Sequence, residues 1–302
     1  MSDSRKPGRD VPKGPAADPY RAITRRGAQG RSSPPLFCVI MPAFEAAATV
    51  GEAIDSVLAQ SYTDWELVVV DDGSTDATFA EAQRHAGGDA RATVLRRPHA
   101  GTAAARDACA RAGTAPLLLR LDADDVLMPH CLQTYADFTA AHEGFDIYSC
   151  TGEVFAPSGA AQPYYSGEGA RSVAHFSLEL MLDANYILGA AAVFTRSLFE
   201  RVGGMREGVY VEDYDFWLRA LAAGARHVYV PEVLVRYRFH PGQMTRDTAS
   251  IQASIAEVME HLADSGSLDD RLAARARSAA ARARATLSSD GHAGVPGGID
   301  AG

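Results

Sequence analysis

Apolar residues along this chain fall into short unbroken runs, each stopping at a charged or turn-forming cluster. Leu36-Phe37-Cys38-Val39-Ile40-Met41 is the first run, ended by Pro42, with Ala43-Phe44-Glu45 as the loop behind it. Glu66-Leu67-Val68-Val69-Val70 is the second, ended by Asp71-Asp72-Gly73-Ser74. Ala92 to Leu95 is a shorter third run, and Pro116 to Leu121 a fourth that ends in Asp122-Ala123-Asp124-Asp125. Runs without polar alternation suit strands buried on both faces. Three carboxylates within four positions cannot continue through a core, so the fourth strand must stop where they begin. Between the runs the apolar spacing turns helical. Val50, Ile54, Val57 and Leu58 follow Thr49-Val50-Gly51-Glu52, which reads as a capping box. Thr75-Asp76 opens a second helix, and Gly101 to Ala112 is a third, carrying Arg106. Strand-helix alternation of this kind predicts right-handed crossovers and a mostly parallel sheet flanked by helices, an α/β fold.

The second half is less regular. Pro129 is placed to start a helix at its first position, and Leu132, Tyr135 and Phe138 give that helix an apolar face. Strands are expected over 146–150, 190–195, 228–230 and 233–237, and helices over 178–182, 197–202 and 212–223. Within the last of these helices, Phe216 and Trp217 read as core packing. Residues 156–170, rich in Pro, Gly, Ala and Ser, read as a mobile loop. Two helices close the pattern, over 248–262 and 267–287. The second is built almost wholly of Ala and Arg, both strong helix formers.

Composition and charge narrow the function classes. Apolar residues make up 47% of the 302 positions and charged residues 22%, which is ordinary globular usage, and the net charge is -9. An acidic chain makes a poor phosphate-tracking groove, so nucleic acid is not expected as a partner. No apolar run reaches the roughly 18 residues of a membrane span, and the N-terminus has no secretory apolar stretch. Cys38, Cys109, Cys131 and Cys150 are scattered and read as reduced, buried thiols of a cytoplasmic protein. Residues 1–34 carry eight Lys and Arg against three Asp, a basic arm too poor in apolar residues to fold alone. That arm, and the Arg-rich 267–287 helix, are the features that could touch an anionic membrane surface. The expected organisation is a basic tail (1–34), one domain (35–246) with a nucleotide-binding half (35–125) and an acceptor half (126–246), C-terminal helices (247–288) and a Gly-rich end (289–302).

The candidate chemistry lies where the strands end. Open α/β sheets place ligands outside the carboxyl ends of their strands. Carboxylates spaced i, i+2 in a bending turn can reach one hard cation, and Mg²⁺ or Mn²⁺ commonly keeps waters and substrate phosphates as its other ligands. Four features converge at that edge: Pro42-Ala43-Phe44-Glu45, Asp71-Asp72-Gly73-Ser74, the stretch from Arg96 to Asp107 with Gly101 and Arg106, and Asp122-Ala123-Asp124-Asp125. Downstream stand Gly203-Gly204-Met205, Glu212-Asp213-Tyr214-Asp215-Phe216-Trp217 and Arg236-Tyr237-Arg238-Phe239-His240. In order, spacing and strand context the set resembles a family 2 glycosyltransferase with the GT-A fold, over roughly Leu36 to Arg246.

That resemblance implies a role for each motif. Pro42, Ala43, Phe44 and Glu45 would line the nucleoside pocket with Phe44 against the base, an aromatic face being a good nucleobase platform. The family usually has Tyr and Asn where this chain has Phe44 and Glu45, and Asn where it has Asp107. Asp71 would hydrogen-bond the base and Asp72 would support the loop, with Gly101 completing the pattern. Arg106 would pair with a phosphate or brace the metal carboxylates. Asp122, with Ala123, would reach the ribose or the metal's waters; Asp124 would ligate Mn²⁺ or Mg²⁺, and His240 would approach that metal from the far side. Asp125 reads as structural. Asp213 would be the base for an attacking hydroxyl, with Glu212 as the second candidate. The two carboxylates also suit a helix N-terminus for electrostatic reasons alone.

The implied reaction is inverting transfer of a single sugar from a nucleoside diphosphate sugar, UDP being the family's commonest carrier. The acceptor would be a saccharide or lipid-linked hydroxyl in cell-surface polysaccharide or glycolipid synthesis. The Gln-X-X-Arg-Trp motif of processive synthases is absent, so a soluble enzyme, or one peripheral at the inner face of the membrane, is expected, with 156–170 as a candidate lid. A sugar nucleotidyltransferase would open with a Gly-rich, Arg-containing loop after the first strand, and a dehydrogenase with Gly-X-Gly-X-X-Gly; neither pattern is present. A non-catalytic nucleotide-sugar binder is the remaining alternative, and the intact Asp71, Asp122, Asp124 and Asp213 speak against it.

Overall fold

The computed structural model describes residues 33–156, 162–163 and 175–288. The basic arm, most of the 156–170 loop and the Gly-rich end lie outside the described residues.

Four parallel strands form the first half of the sheet: β1 (Phe37–Ala43), β2 (Trp65–Asp71), β3 (Ala92–Arg96) and β4 (Leu117–Arg120), in the order β3-β2-β1-β4. Helices α1 (Val50–Leu58), α2 (Thr78–Ala86) and α3 (Thr102–Ala112) make the crossovers. Beyond β4 the direction inverts. β8 (Val193–Thr195) runs antiparallel to β4 and to β6 (Ile147–Phe155), and β6 pairs in parallel with β9 (His227–Arg238). β5 (Val126–Leu127) closes that edge against β9, and β7 (Gln162–Pro163) pairs with β6. Strands from both expected halves therefore share one sheet.

The unbroken runs are explained by the two cores. Phe37, Val39 and Met41 of β1 enter one core, where α1 buries Val50, Ala53, Ile54 and Val57 and α4 (Cys131–Ala141) buries Leu132 and Tyr135. Cys38 and Ile40 point the other way, toward α3, α7 (Glu212–Ala222), α8 (Thr248–Asp264) and α9 (Asp270–Ser288). Phe216 and Trp217 are fully buried there, against Phe194, as their helical spacing implies. All four cysteines are buried and none is in a disulfide. Two short helices, α5 (Leu178–Met181) and α6 (Arg196–Arg201), link the later strands to this core.

Several local expectations are corrected. Pro42 does not end β1: it stays in the strand opposite Val70. The β1–β4 pairing stops at Ile40, so at Pro42 one side of the strand has no ladder to break. The capping box at Thr49 is not formed; the Thr49 hydroxyl turns back to the Ala46 carbonyl, and Glu52 pairs with Arg238 instead. Pro129 precedes the helix, which starts at Cys131 after a turn closed on the Met128 carbonyl. The two strands expected over 228–230 and 233–237 are one, β9, whose pairing jumps from Val230 to Val233. The skipped Pro231 has no N–H for the ladder, and the irregularity absorbs it.

α9 is packed within the chain. Its Ala273, Ala276, Ala279, Ala280 and Ala283 are buried. Its arginines pair with acidic neighbours: Arg271 and Arg275 with Glu179, Arg275 and Arg282 with Asp183, Arg277 with Asp264, and Arg284 with Glu260. Among the described residues no helix is long and apolar enough to cross a membrane.

At the start of β9, His227 is buried between two partners. Its Nε2 lies 2.7 Å from the Ser149 hydroxyl, and its Nδ1 accepts the Phe176 amide at 2.9 Å. A ring holding one acceptor nitrogen this way is neutral, and burial pushes its pKa down to about 3. The unfolded chain binds this proton near pH 6.5, so the stabilising contribution is complete above that pH and is lost as pH falls toward 3. Stability against urea should fall by about 1.4 kcal/mol per pH unit below 6.5 through this group. His227→Gln should lose that component of the pH dependence.

Candidate active site

The sheet register sets the edge. Ala43 at the end of β1 faces Asp71 at the end of β2, and Arg120 at the end of β4 lies opposite Ile40. Pro42 and Ala43 are buried strand residues, and the exposed surface begins at Phe44. Its ring is about half exposed and stacks on His99 at 4.3 Å. Asp71 is fully buried; its Oδ1 accepts the Ser74 amide at 3.3 Å, and Arg96 Nε lies 3.0 Å from Oδ2. Asp72 holds the next loop. Its carboxylate accepts the amides of Ala100 and Gly101 and lies 2.9 Å from His99 Nδ1. Gly73 is required directly after the two acids: its φ is 79°, and a Cβ there would stand 2.7 Å from the His99 backbone nitrogen. Glu45 is exposed and braces the neighbouring loop. It takes the rare φ of 50° and accepts the Thr75 amide and hydroxyl at 2.7 and 2.9 Å, tying the β1 loop to the β2 loop.

The Asp122-Ala123-Asp124-Asp125 turn divides its acids by partner. Asp125 is buried and accepts the Arg238 amide at 2.9 Å, a structural contact. Asp124 is a third exposed, and its Oδ2 lies 3.0 Å from His240 Nε2. Burial and the neighbouring Asp122 push the Asp124 pKa up, against the pull of His240. Asp122 accepts from Arg106 Nη2 at 2.6 Å. Burial opposes its charge, but Arg106 and then Arg120 hold its pKa below the ordinary carboxylate range. Of the two roles open to Arg106, the structure shows the brace: the side chain is buried and also reaches Glu212 Oε1 at 3.2 Å.

Among the described residues no three His, Cys, Asp or Glu side chains form a ready-made cation cage. Asp124 and His240 supply two adjacent, partly exposed donors of the kind Mg²⁺ or Mn²⁺ accepts when phosphates and waters complete its shell. The donor set fits such an ion, with Asp122 behind it on Arg106.

Glu212 and Asp213 open α7 but face different surroundings. Glu212 is buried, and its Oε1 receives both Arg106 and, at 3.1 Å, Arg120 Nη2. Burial raises its pKa against the pull of the two arginines. Asp213 is more open. Its Oδ1 accepts the Tyr214 amide at 2.7 Å, and its Oδ2 accepts the Asn185 amide at 3.4 Å. Arg120, Asn185, Gly189 and His99 were not among the residues that sequence reasoning singled out. Arg120 had a signal, a guanidinium ending the apolar run Leu117-Leu118-Leu119, which demands a buried partner. The other three reach the site only through folding.

An α/β sheet of this order, with acids gathered at one edge, is the GT-A fold. The S. aureus TarS fragment 1-349, in a crystal structure with UDP-GlcNAc, superposes with a TM-score of 0.67 over 83% of this chain and 73% of its own at 16% identity. Mannosyltransferase PcManGT from Pyrobaculum calidifontis, in complex with GDP-Man and Mn2+, superposes at 0.62 over 92% and 81% with 20% identity. At these identities the likeness shows the fold. The model of glycosyl transferase family 2 matches residues 38–203, and the chain belongs to that family. EpsE of Bacillus subtilis is 27% identical over 68% of this chain and 74% of its own length. The succinoglycan biosynthesis protein ExoU of Rhizobium meliloti is 31% identical, over 65% and 60%. The chain thus spans three quarters of one relative and less than two thirds of the other.

Removing Arg106 leaves Asp122 and Glu212 short of a buried counter-charge. Arg106→Met should cost about 3–5 kcal/mol of stability, read as a lowered urea midpoint.

Proposed function

We propose that the protein moves one sugar from a nucleoside diphosphate sugar, UDP foremost, to an acceptor hydroxyl with inversion. The observation that carries this reading is the division of acids at one sheet edge. Asp124 with His240 forms a partly exposed donor pair, and Asp213 stands on α7 as a separate carboxylate, joined to that side only through buried arginines. The TarS and PcManGT complexes with UDP-GlcNAc and with GDP-Man and Mn2+ support the donor class and the cation. The name of ExoU supports a place in polysaccharide assembly, with a glycolipid precursor as the related choice of acceptor.

In this reading Phe44, on its His99 support, carries the base, while Asp71 and Asp72 shape the loop beside it. Asp124 and His240 would hold Mn²⁺ or Mg²⁺, with Asp122 turned toward the ribose or the ion's waters. Such an ion supplies positive charge to the leaving diphosphate. Asp213 takes the proton of the acceptor hydroxyl as the hydroxyl oxygen bonds to the anomeric carbon. The bond from that carbon to the phosphate oxygen breaks, and its electron pair leaves with the diphosphate. The acceptor binds along residues 126–246. The work is done in the cytoplasm; with the α9 arginines paired internally, contact with a membrane rests on the basic arm.

Incubating the purified protein with a panel of UDP- and GDP-sugars and Mn²⁺, and measuring nucleoside diphosphate release, tests the reading. Asp124→Ala should lower turnover at least about 100-fold and remove the metal dependence of UDP binding. Full activity in that variant would sink the proposal. Asp213→Asn should lower transfer by about 10²–10⁴-fold while nucleotide binding stays. UDP binding with no turnover of any donor would favour the non-catalytic binder.

A further inference from the structure

The Arg120 side chain is nearly inaccessible at the end of β4 and, among the described residues, makes one hydrogen bond, from Nη2 to Glu212 Oε1. Its other terminal nitrogen, Nη1, is buried without a hydrogen-bond partner and lies 3.8 Å from Asp213 Oδ2. Across that gap stands Gly189. A Cβ at Gly189 would lie 2.8 Å from Asp213 Oδ2 and 3.4 Å from both terminal nitrogens of Arg120. The missing side chain is what lets the guanidinium and the carboxylate face each other. On the far side, Arg106 shares Glu212 Oε1 and passes on to Asp122. The result is an alternating row of charges: Asp122, Arg106, Glu212, Arg120, Asp213.

We propose that Arg120 is the positioning residue of the acceptor-side base, with Glu212 as its anchor rather than a proton acceptor. The inference rests on the glycosyl-transfer reading above. Glu212 is buried and its Oε1 is engaged by two guanidiniums, so it has no approach to an acceptor hydroxyl. Asp213 is the more exposed acid of the pair. Two adjacent carboxylates repel and tend to share a proton unless a cation lies between them. Arg120 is that cation: one nitrogen is pinned by Glu212, and the other is aimed at Asp213 Oδ2. A planar fork bridges two carboxylates in a way a lysine ammonium cannot. Arg120 thereby fixes the position of the Asp213 carboxylate beside Gly189. The proton from the acceptor hydroxyl goes to Asp213, the new O–C bond forms, and the carbon–phosphate oxygen bond breaks toward the diphosphate.

The test compares Arg120→Lys, Arg120→Gln, Asp213→Asn and Arg120→Lys/Asp213→Asn on the donor that the wild type turns over in the UDP- and GDP-sugar panel. Calorimetry with UDP and with GDP, each with Mn²⁺, monitors the donor side. A positioning role predicts nucleotide Kd and donor KM within twofold of wild type and kcat lowered at least tenfold in Arg120→Lys. It also predicts a double variant no slower than Asp213→Asn. Wild-type kcat in Arg120→Lys, a loss confined to donor KM, or losses that multiply in the double variant would overturn it. If the wild type turns over no donor, the transfer reading fails by itself. The linkage is then read from urea midpoints of Arg120→Gln, Asp213→Asn and the pair: non-additive shifts support it, and additive shifts overturn it.

Discussion

The site depends on two buried guanidiniums that hold one buried and two partly exposed carboxylates close together. Asp122, Glu212 and Asp213 come from a strand end and a helix start that are distant in sequence, and Arg106 and Arg120 hold them in one row. A buried charge that loses its partner is far costlier than a surface one, so these five residues tie β4, α3 and α7 into one unit. Neutral replacements of similar size could stabilise the protein as well. What the charged row adds is a fixed orientation for acids that have work to do at the opening.

That row explains how the two sides of the site can be chemically different. At the turn after β4, Asp124 and His240 stay partly exposed and are held from behind by Arg238, whose Nε donates to the Asp124 carbonyl at 2.7 Å. At the start of α7, Asp213 is backed by Arg120 and by Asn185 from the segment that leads into β8. That segment is itself anchored: Glu179 and Asp183, just before Asn185, pair with Arg271, Arg275 and Arg282 of α9. The C-terminal helix thus reaches the surroundings of Asp213 through ion pairs, a use for its arginines other than contact with a lipid surface.

Motif reading divided cleanly between acids that face the opening and acids that build it. Asp124, Asp213 and His240 keep partly exposed side chains, as the proposed roles require. Asp72 and Glu45 belong to the same motifs, yet each spends its carboxylate on backbone amides of a neighbouring loop. Residue type and spacing cannot separate these cases, because a carboxylate that caps a loop and one that binds a ligand look alike along the chain. His99 shows the converse: it lies inside the Arg96 to Asp107 stretch with no role of its own implied there, and its ring joins the site because folding stacks it on Phe44.

The sequence by itself determined the parallel strands β1 to β4, their crossover helices and the edge at which the acids gather. Unbroken apolar runs ended by charge admit one arrangement, a strand buried on both faces that stops at the rim. It also determined the family, through motifs whose order and spacing survive without any structure. Only the tertiary structure decided the antiparallel turn of β8, the single irregular β9, the pairing of the α9 arginines, and which nitrogen of Arg120 is left facing Asp213. Those outcomes depend on contacts between residues far apart in the chain, such as Arg120 with Glu212 or Arg238 with Asp124. Local pattern carries no record of such distances.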